Sequence, residues 1–266
     1  MNDRVTISVS NHVAHVKLNR PEKMNALDNA MFEGIFTAGE KVSKMPDVRA
    51  VVLSGEGPSF CAGLDMESFS AMLDPSAASN LQDLETRTHG LFNDVQYVSW
   101  IWRELNIPVI AALHGVTIGG GLQIALGADM RYAAPDTRLS ILEIKWGLVP
   151  DMGGSQLLRG ILRDDVMREL SYTGRMVAAD EAKSLGLITD VVENPVEHAL
   201  ELAKTIAGKN PDAIRGNKEL YNELHYQNVT QGMLHESVIQ DKVLGKPNQI
   251  EAIMANLQKR PPEFKN

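Results

Sequence analysis

The stretch VIAALHGVTIGGGLQIALGAD, residues 109–129, frames the reading of the whole chain. It begins with an apolar run, Val109 to Leu113, turns at Gly115, and passes through Gly119, Gly120 and Gly121 into the helix-like segment Leu122 to Leu126. The spacing reads as a strand, a glycine turn and a helix start. Glycines there let the backbone come close to a neighbour, and the first N–H groups of the helix point outward, able to meet an anion or a developing negative charge. A dinucleotide fingerprint needs a third glycine where Ile124 stands, and a Walker loop needs Gly-Lys-Ser/Thr where Gly120, Gly121 and Leu122 stand, so neither motif fits. On this segment alone, a turn that merely joins strand to helix stays open.

Working outward, Val5, Ile7 and Val9 alternate with polar residues, Asn11-His12 makes a turn, and Ala14, Val16 and Leu18 resume the alternation, which predicts a hairpin. Asp28 is placed to cap a helix whose apolar positions Met31, Ile35, Ala38, Val42 and Met45 share one face. Ala50 to Leu53 reads as a strand covered on both sides. It runs into SGEGPSFCAGLDM, a second strand end followed by a glycine-rich turn, with a helix expected from Asp65 or Met66. Residues 74–79 read as a surface loop and 80–104 as one long helix, ended by Pro108. Beyond the central stretch, Met130 to Ala134 predicts a strand, Gly154 a helix start, and Leu187 to Val192 a last strand in a mostly helical remainder. Strands alternating with helices predict an α/β fold with right-handed parallel βα connections, the helical last third packing on it or on a neighbouring subunit.

Composition limits the function classes. The chain has 266 residues, a net charge of −8, 44% apolar and 23% charged residues, as expected of a soluble globular protein. The acidic balance argues against nucleic-acid binding, which draws on a basic surface, though it permits a small anionic ligand held by a few local cations such as Arg20 with Lys23, or Lys259, Arg260 and Lys265. No apolar run reaches membrane-spanning length, and the segment MNDRVTISVS carries no signal-like core, so a cytoplasmic protein is expected. A single cysteine, Cys61, excludes an internal disulfide and a cysteine-rich metal site, and no metal ligand set is expected.

Four segments together, NRPEKMNAL at 19–27, SFCAGLDM at 59–66, HGVTIGGGLQIALGADMRYA at 114–133 and EIKWGLVPDMGGSQLL at 143–158, resemble the enoyl-CoA hydratase/isomerase (crotonase) superfamily, and the similarity runs end to end. The resemblance implies a spiral of ββα units over residues 1–195, a helical region over 196–266 that serves trimerisation and covers the coenzyme, and a homotrimer or a dimer of trimers. It implies no permanently bound cofactor, coenzyme A being part of the substrate. It also implies an oxyanion hole made by the N–H groups at Ala62 and Gly120, which holds the thioester carbonyl as it becomes an enolate. Lys23, Met24, Ala26, Leu64 and Asp65 would lie along the coenzyme, with Lys259 supplying a cation across a subunit boundary.

An enolate needs both such a hole and a base, because the proton beside a thioester is too weakly acidic for a carboxylate unless fixed dipoles stabilise the oxyanion. Hydratases of the superfamily place two glutamates at the positions of Gln123 and Glu143, and only the second is a carboxylate here. Gln123 cannot act as a general acid or base, although it can position water. Asp151, eight residues after Glu143, gives a second carboxylate, and the dienoyl-CoA isomerases carry an acid pair resembling Glu143 and Asp151, with an aspartate where Gln123 stands. Asp151 also reads as a helix cap before Gly153-Gly154. The expectation is double-bond isomerisation of an enoyl- or dienoyl-CoA in fatty acid metabolism, with hydration of a 2-enoyl-CoA (a lyase activity) as the alternative and a non-catalytic acyl-CoA binder as a further one. Arg87, His89 and Trp100 fall on the variable lid helix, whose residues are expected to decide the acyl group, and their spacing fits a core position as well as a ligand contact.

Overall fold

Alternating apolar residues in β1 (Val5–Ser10) and β2 (Val13–Leu18) pair antiparallel around a turn in which Asn11 and His12 take φ of 50° and 63°, a left-handed conformation that short polar side chains tolerate. The computed structural model describes residues 3–68, 84–224 and 226–266. Helix α1 (Asn29–Ser43) starts where the Asp28 carboxylate accepts the Met31 N–H at 2.7 Å, and it buries Met31, Phe32, Ile35, Ala38 and Val42 on the face given by their spacing. Then follow β3 (Ala50–Gly55), α2 (Asp94–Glu104), β4 (Val109–Leu113), β5 (Val116–Ile118), α3 (Gly120–Leu126), β6 (Met130–Ala133) and β7 (Arg138–Ser140). The remainder holds α4 (Gly154–Leu157), α5 (Asp164–Thr173), β8 (Val177–Ala178), α6 (Ala179–Leu185), β9 (Asp190–Val191) and four helices, α7 (Pro195–Ala207), α8 (Pro211–Glu223), α9 (Val229–Val243) and α10 (Pro247–Gln258).

Six strands form one sheet in the order β1-β2-β3-β4-β6-β9, parallel from β2 onward, and β5-β7-β8 form a second. The chain steps from the first sheet to the second between β4 and β5 and again between β6 and β7, which produces the turns of an α/β spiral. Strands β3 and β4 are buried along their whole length because both faces are covered. Val51, Leu53, Val109, Ala111 and Leu113 join the main core with α1 and α2, while Val52, Ile110 and Ala112 meet Ala199, Ala203 and Ala207 of α7. Small residues on that helix let it lie close to the sheet.

The C-terminal helices also hold the central strand electrostatically. The buried Lys218 of α8 donates to the carbonyls of Trp102 (3.1 Å) and Ile107 (2.9 Å) and pairs with Asp129 at 3.0 Å, and Asp129 in turn accepts the Val109 N–H at 2.7 Å. All three ammonium hydrogens have acceptors, which is what a lysine at this depth requires.

Two expectations need correction. The long helix over 80–104 starts only at Asp94, because Asn93 and Gln96 form a reciprocal capping box and residues 84–93 run as turns, with His89 bridging to Phe92. The strand expected over 187–192 shrinks to Asp190–Val191, whereas the helix expected from Gly154 does begin there, as a single turn ending at Leu157. The loop expected over 74–79 and residues 80–83 lie outside the described residues.

Candidate active site

Two turns are zipped side by side. After β3 the chain crosses to β5, where the Cys61 N–H donates to Val116 O and the Ile118 N–H returns to Cys61 O, both at 3.2 Å. Asn25, at φ 56°, staples the first turn from behind, its amide donating to the carbonyls of Ser59 (2.8 Å) and Glu56 (2.9 Å) and its oxygen accepting the Arg20 N–H (2.7 Å). Gly119, at φ 53°, bends the backbone so that Gly120 opens α3 with its N–H outside the helix ladder. A Cβ on Gly63 would sit 3.6 Å from that nitrogen, so the two turns touch where a shared ligand atom would lie.

The donor on the first turn is not the expected one. The Ala62 N–H is spent on the Met24 carbonyl at 2.9 Å. Around Leu64 the backbone pairs with Leu27 through its neighbours: Leu27 N–H meets Gly63 O at 2.8 Å and Asp65 N–H meets Leu27 O at 3.0 Å. That parallel register leaves the Leu64 N–H without an acceptor among the described residues, beside Gly120. Extended backbone turns alternate N–H groups to opposite sides, so the two-residue shift from Ala62 to Leu64 keeps the side and changes only which group is free.

Asp65 is held inward. Burial alone would raise its carboxyl, but the Glu67 N–H at 2.8 Å and the buried Arg20 guanidinium hold it below the ordinary aspartate range. Arg20 also donates to Ala26 O at 3.1 Å, so this ion pair fixes the loop that carries Leu64. Cys61 is buried with its thiol on the Asn25 carbonyl and pushed up to about 12 by desolvation, a packing residue and not a nucleophile.

Opposite the turns, Glu143 stands on the short helical turn Glu143–Trp146 that follows β7. It is 8% exposed; Oε1 accepts the Gln123 Nε2–H at 2.6 Å, and Oε2 is buried with no hydrogen-bond partner among the described residues. Burial raises its pKa and the charge of Asp151 adds to the rise, against the opposing pull of its own backbone N–H, the Gln123 bond and the Leu142 backbone. Gln123 is oriented by its other end, where Oε1 accepts the N–H groups of Met152 (2.9 Å) and Gly154 (3.0 Å). Burial likewise raises the pKa of Asp151. It caps nothing: Gly153 is the N-cap of α4, and no side chain supplies a cap bond there.

A cavity of about 580 Å³ brings these groups together. Its wall includes Ala62, Gly120, Gln123, Glu143 and Asp151, and also Lys23, Met24, Ala26, Leu64 and Asp65. Phe32, Val95, Leu142, Trp146, Leu148 and Met152 add an apolar lining that the sequence reading missed, since their spacing says only that they are apolar. Lys259 is not on this wall; it ends α10 in a left-handed conformation at φ 52°. Arg87, His89 and Trp100 do not line it either. His89 stacks on Tyr97 with ring centroids 4.1 Å apart and lies 3.2 Å from Asp94, Arg87 donates to Gln96 at 2.9 Å, and Trp100 packs on Phe92 and behind Gly153. Among the described residues no group of three or more His, Cys, Asp or Glu side chains is placed to hold a metal ion, and no helix is long and apolar enough to cross a membrane.

The chain is similar to known proteins in sequence and in fold. The family model for enoyl-CoA hydratase/isomerase matches residues 8–266. The Delta(3,5)-Delta(2,4)-dienoyl-CoA isomerases of Mus musculus (mitochondrial) and Arabidopsis thaliana (peroxisomal) are 31% and 32% identical, each over 95% of this chain and over 79% and 92% of their own lengths. The (E)-benzylidenesuccinyl-CoA hydratase of Thauera aromatica is 31% identical over 98% of both chains. The crystal structure of an enoyl-CoA hydratase from Polaromonas sp. JS666 superposes with a TM-score of 0.88 at 28% identity, covering 98% of this chain and 99% of the other. The chain belongs to the enoyl-CoA hydratase/isomerase family.

Proposed function

We propose that this protein isomerises the double bonds of an unsaturated acyl-CoA through a thioester enolate. The Leu64 and Gly120 N–H groups hold the carbonyl oxygen as it gains charge, replacing the Ala62 and Gly120 pair expected from sequence. One of Glu143 and Asp151 starts ionised and removes the proton beside the thioester. The other starts protonated and returns a proton farther along the conjugated chain, so the two exchange states in each turnover and reset through solvent. For a 3,5-dienoyl thioester this takes the proton from C2 and delivers one to C6, leaving the 2,4-dienoyl product.

The observation that carries this reading is the pairing on one cavity wall of two carboxylates, both with pKa values raised by burial, with a non-ionisable Gln123 at the third position. Raised carboxyl pKa values suit groups that must both hold and release a proton near neutral pH. The relatives named as dienoyl-CoA isomerases lend support. Hydration of a 2-enoyl-CoA by Glu143 is the second reading, favoured by the benzylidenesuccinyl-CoA hydratase relative.

Coenzyme A would run past Lys23, Met24 and Ala26, with no cofactor held between turnovers. Exposed Val229, Met233 and Leu234 on α9 and Leu257 on α10 suit packing against other copies in a trimer or a dimer of trimers, where Lys259 of one subunit would reach the coenzyme of another. A reducing cytoplasmic setting agrees with the lone buried thiol.

The test is incubation with 2-enoyl-, 3-enoyl- and 3,5-dienoyl-CoA in heavy water, followed by mass spectrometry. Conversion of the dienoyl substrate to its conjugated isomer without addition of water is expected. Water addition to the 2-enoyl substrate in place of isomerisation establishes the hydratase reading, and binding without conversion of any substrate defeats both.

A further inference from the structure

We propose that Lys145 is a subsite for a carboxylate at the far end of the acyl group, so that the thioesters this protein takes best are CoA esters of dicarboxylic acids. The inference deepens the proposed function and rests on it for the direction in which the acyl chain runs.

Among the described residues the cavity wall carries two ammonium groups, Lys23 and Lys145, and they are engaged differently. Lys23, on the segment assigned to the coenzyme, lies 3.4 Å from Glu67. Lys145 stands two residues beyond Glu143 and has no carboxylate within ion-pair distance among the described residues; its ammonium lies instead 5.3 Å from the centroid of the Trp146 ring. The short helical turn Glu143–Trp146 keeps this charge away from the acid pair. With three residues per turn, positions 143 and 145 point about 120° apart, so Glu143 is turned into the wall while Lys145 is exposed. The raised pKa values of Glu143 and Asp151 come from burial and, for Glu143, the charge of Asp151, with no contribution from Lys145.

An acyl group held with its carbonyl oxygen at Leu64 and Gly120 must pass the acid pair to bring C2 and C6 to it. Carbons beyond C6 then meet the turn that bears Lys145, flanked by Leu142, Trp146 and Leu148. Those three side chains suit methylenes. A hydrocarbon end does not suit the ammonium, because seating it strips water from the charge and returns nothing. A terminal carboxylate meets the same charge with a hydrogen-bonded ion pair, which the apolar wall around it strengthens by excluding water.

The test is isothermal titration calorimetry with saturated CoA thioesters, which have no double bond to move. Hexanoyl- is compared with adipoyl-, octanoyl- with suberoyl- and decanoyl- with sebacoyl-CoA, with free CoA as the reference. Wild type is set beside Lys145→Met, which keeps the stem and loses the charge, and Lys145→Glu, which reverses it. In the wild type at least one dicarboxylic thioester should bind about fivefold or more tighter than its monocarboxylic partner of the same length, a preference that added salt weakens. The preference should vanish in Lys145→Met and invert in Lys145→Glu, while the affinity for free CoA stays within about twofold in both.

A wild type that binds no dicarboxylic thioester tighter than its partner overturns the subsite, and so does a preference that survives in Lys145→Met. An equal loss of affinity for free CoA and for every thioester assigns the ammonium to the coenzyme phosphates and overturns it as well. Lys145→Glu carries the comparison if Lys145→Met does not fold. Failure of the wild type to isomerise a 3,5-dienoyl-CoA defeats the proposed function alone, because these affinities are read without any turnover.

Discussion

Replacing Glu143 by glutamine should make the protein more stable and inactive at once, and the stability gain should depend on pH. In the native state Glu143 is 8% exposed, with one carboxylate oxygen bonded to Gln123 and the other, Oε2, buried without a partner among the described residues. An unsatisfied buried polar group costs about 1–3 kcal/mol, with charge adding to the penalty. In the variant the amide oxygen can still accept from Gln123, and a neutral NH2, itself without a partner among the described residues, takes the place of the unbonded oxygen, so what is removed is the penalty of the charge. The expected gain at neutral pH is about 1–3 kcal/mol, or a few degrees in Tm for a chain of this size.

The sign of the pH dependence follows from the direction of the shift. Burial raises the pKa of Glu143 above its ordinary 4.5. Below that ordinary value the group is protonated in both folded and unfolded chains and costs nothing. As pH rises from there to the folded pKa, the unfolded chain releases the proton first, so the wild type loses stability relative to the variant; above the folded pKa the difference levels off. Urea denaturation of both proteins at about pH 4 and about pH 8 measures this, because the carboxylates other than Asp151, which interacts with Glu143 by charge, titrate alike in the two and cancel in the difference. Activity should fall about 10²–10⁴-fold, the usual contribution of a positioned acid or base. A variant less stable than the wild type at the higher pH, or one whose gain is the same at both, refutes the view that Glu143 is held as an under-satisfied charge.

Two further outcomes rest on the same wall. Asp151→Asn should lower isomerisation about 10²–10⁴-fold while leaving hydration of a 2-enoyl-CoA much less affected, read by product analysis on both substrates; equal losses would mark the carboxylate as structural. Gly154→Ala would place a Cβ 2.6 Å from Gln123 Oε1 and 2.8 Å from its Cγ, forcing the amide off its two N–H donors. Overpacking of this kind costs about 1–3 kcal/mol, and the displaced Gln123 should also lower kcat; a variant with unchanged Tm and unchanged kcat contradicts the packing described.

Much of this was legible in the sequence because the informative signals are local. The alternation in Val5–Ser10 and Val13–Leu18, the cap at Asp28 and the apolar run through Val109–Leu113 each follow from periodicities of a few residues, and each forms as those periodicities dictate. The glycine triplet marked the turn where the helix opens. What could not be read depends on register between segments far apart in the chain. Whether Ala62 or Leu64 presents a free N–H is decided by pairing with Met24 and Leu27, and nothing in the letters FCAGLDM says which carbonyl each amide will meet. The break before Asp94 failed for a related reason: helical spacing continued upstream, but the Asn93 and Gln96 cap competes with it locally and wins. Gln123 was visible as a missing carboxylate, yet its role came only from three partners contributed by other segments, Met152, Gly154 and Glu143.

The buried Lys218 carries a consequence for how the molecule comes apart. Its three acceptors lie at Trp102, Ile107 and Asp129, on the segments that lead into and follow the strand feeding the site, while the lysine itself rides on a helix about a hundred residues farther on. Neither side can leave without stranding a charge in an apolar interior, which costs several kcal/mol. Partial opening between the central strand and that helix is thereby suppressed in favour of cooperative loss of both. The cavity-lining groups that follow this strand are thus borne by a part of the protein that resists local fluctuation, and a proteolytic enzyme attacking this interface would have to wait for opening of the whole unit.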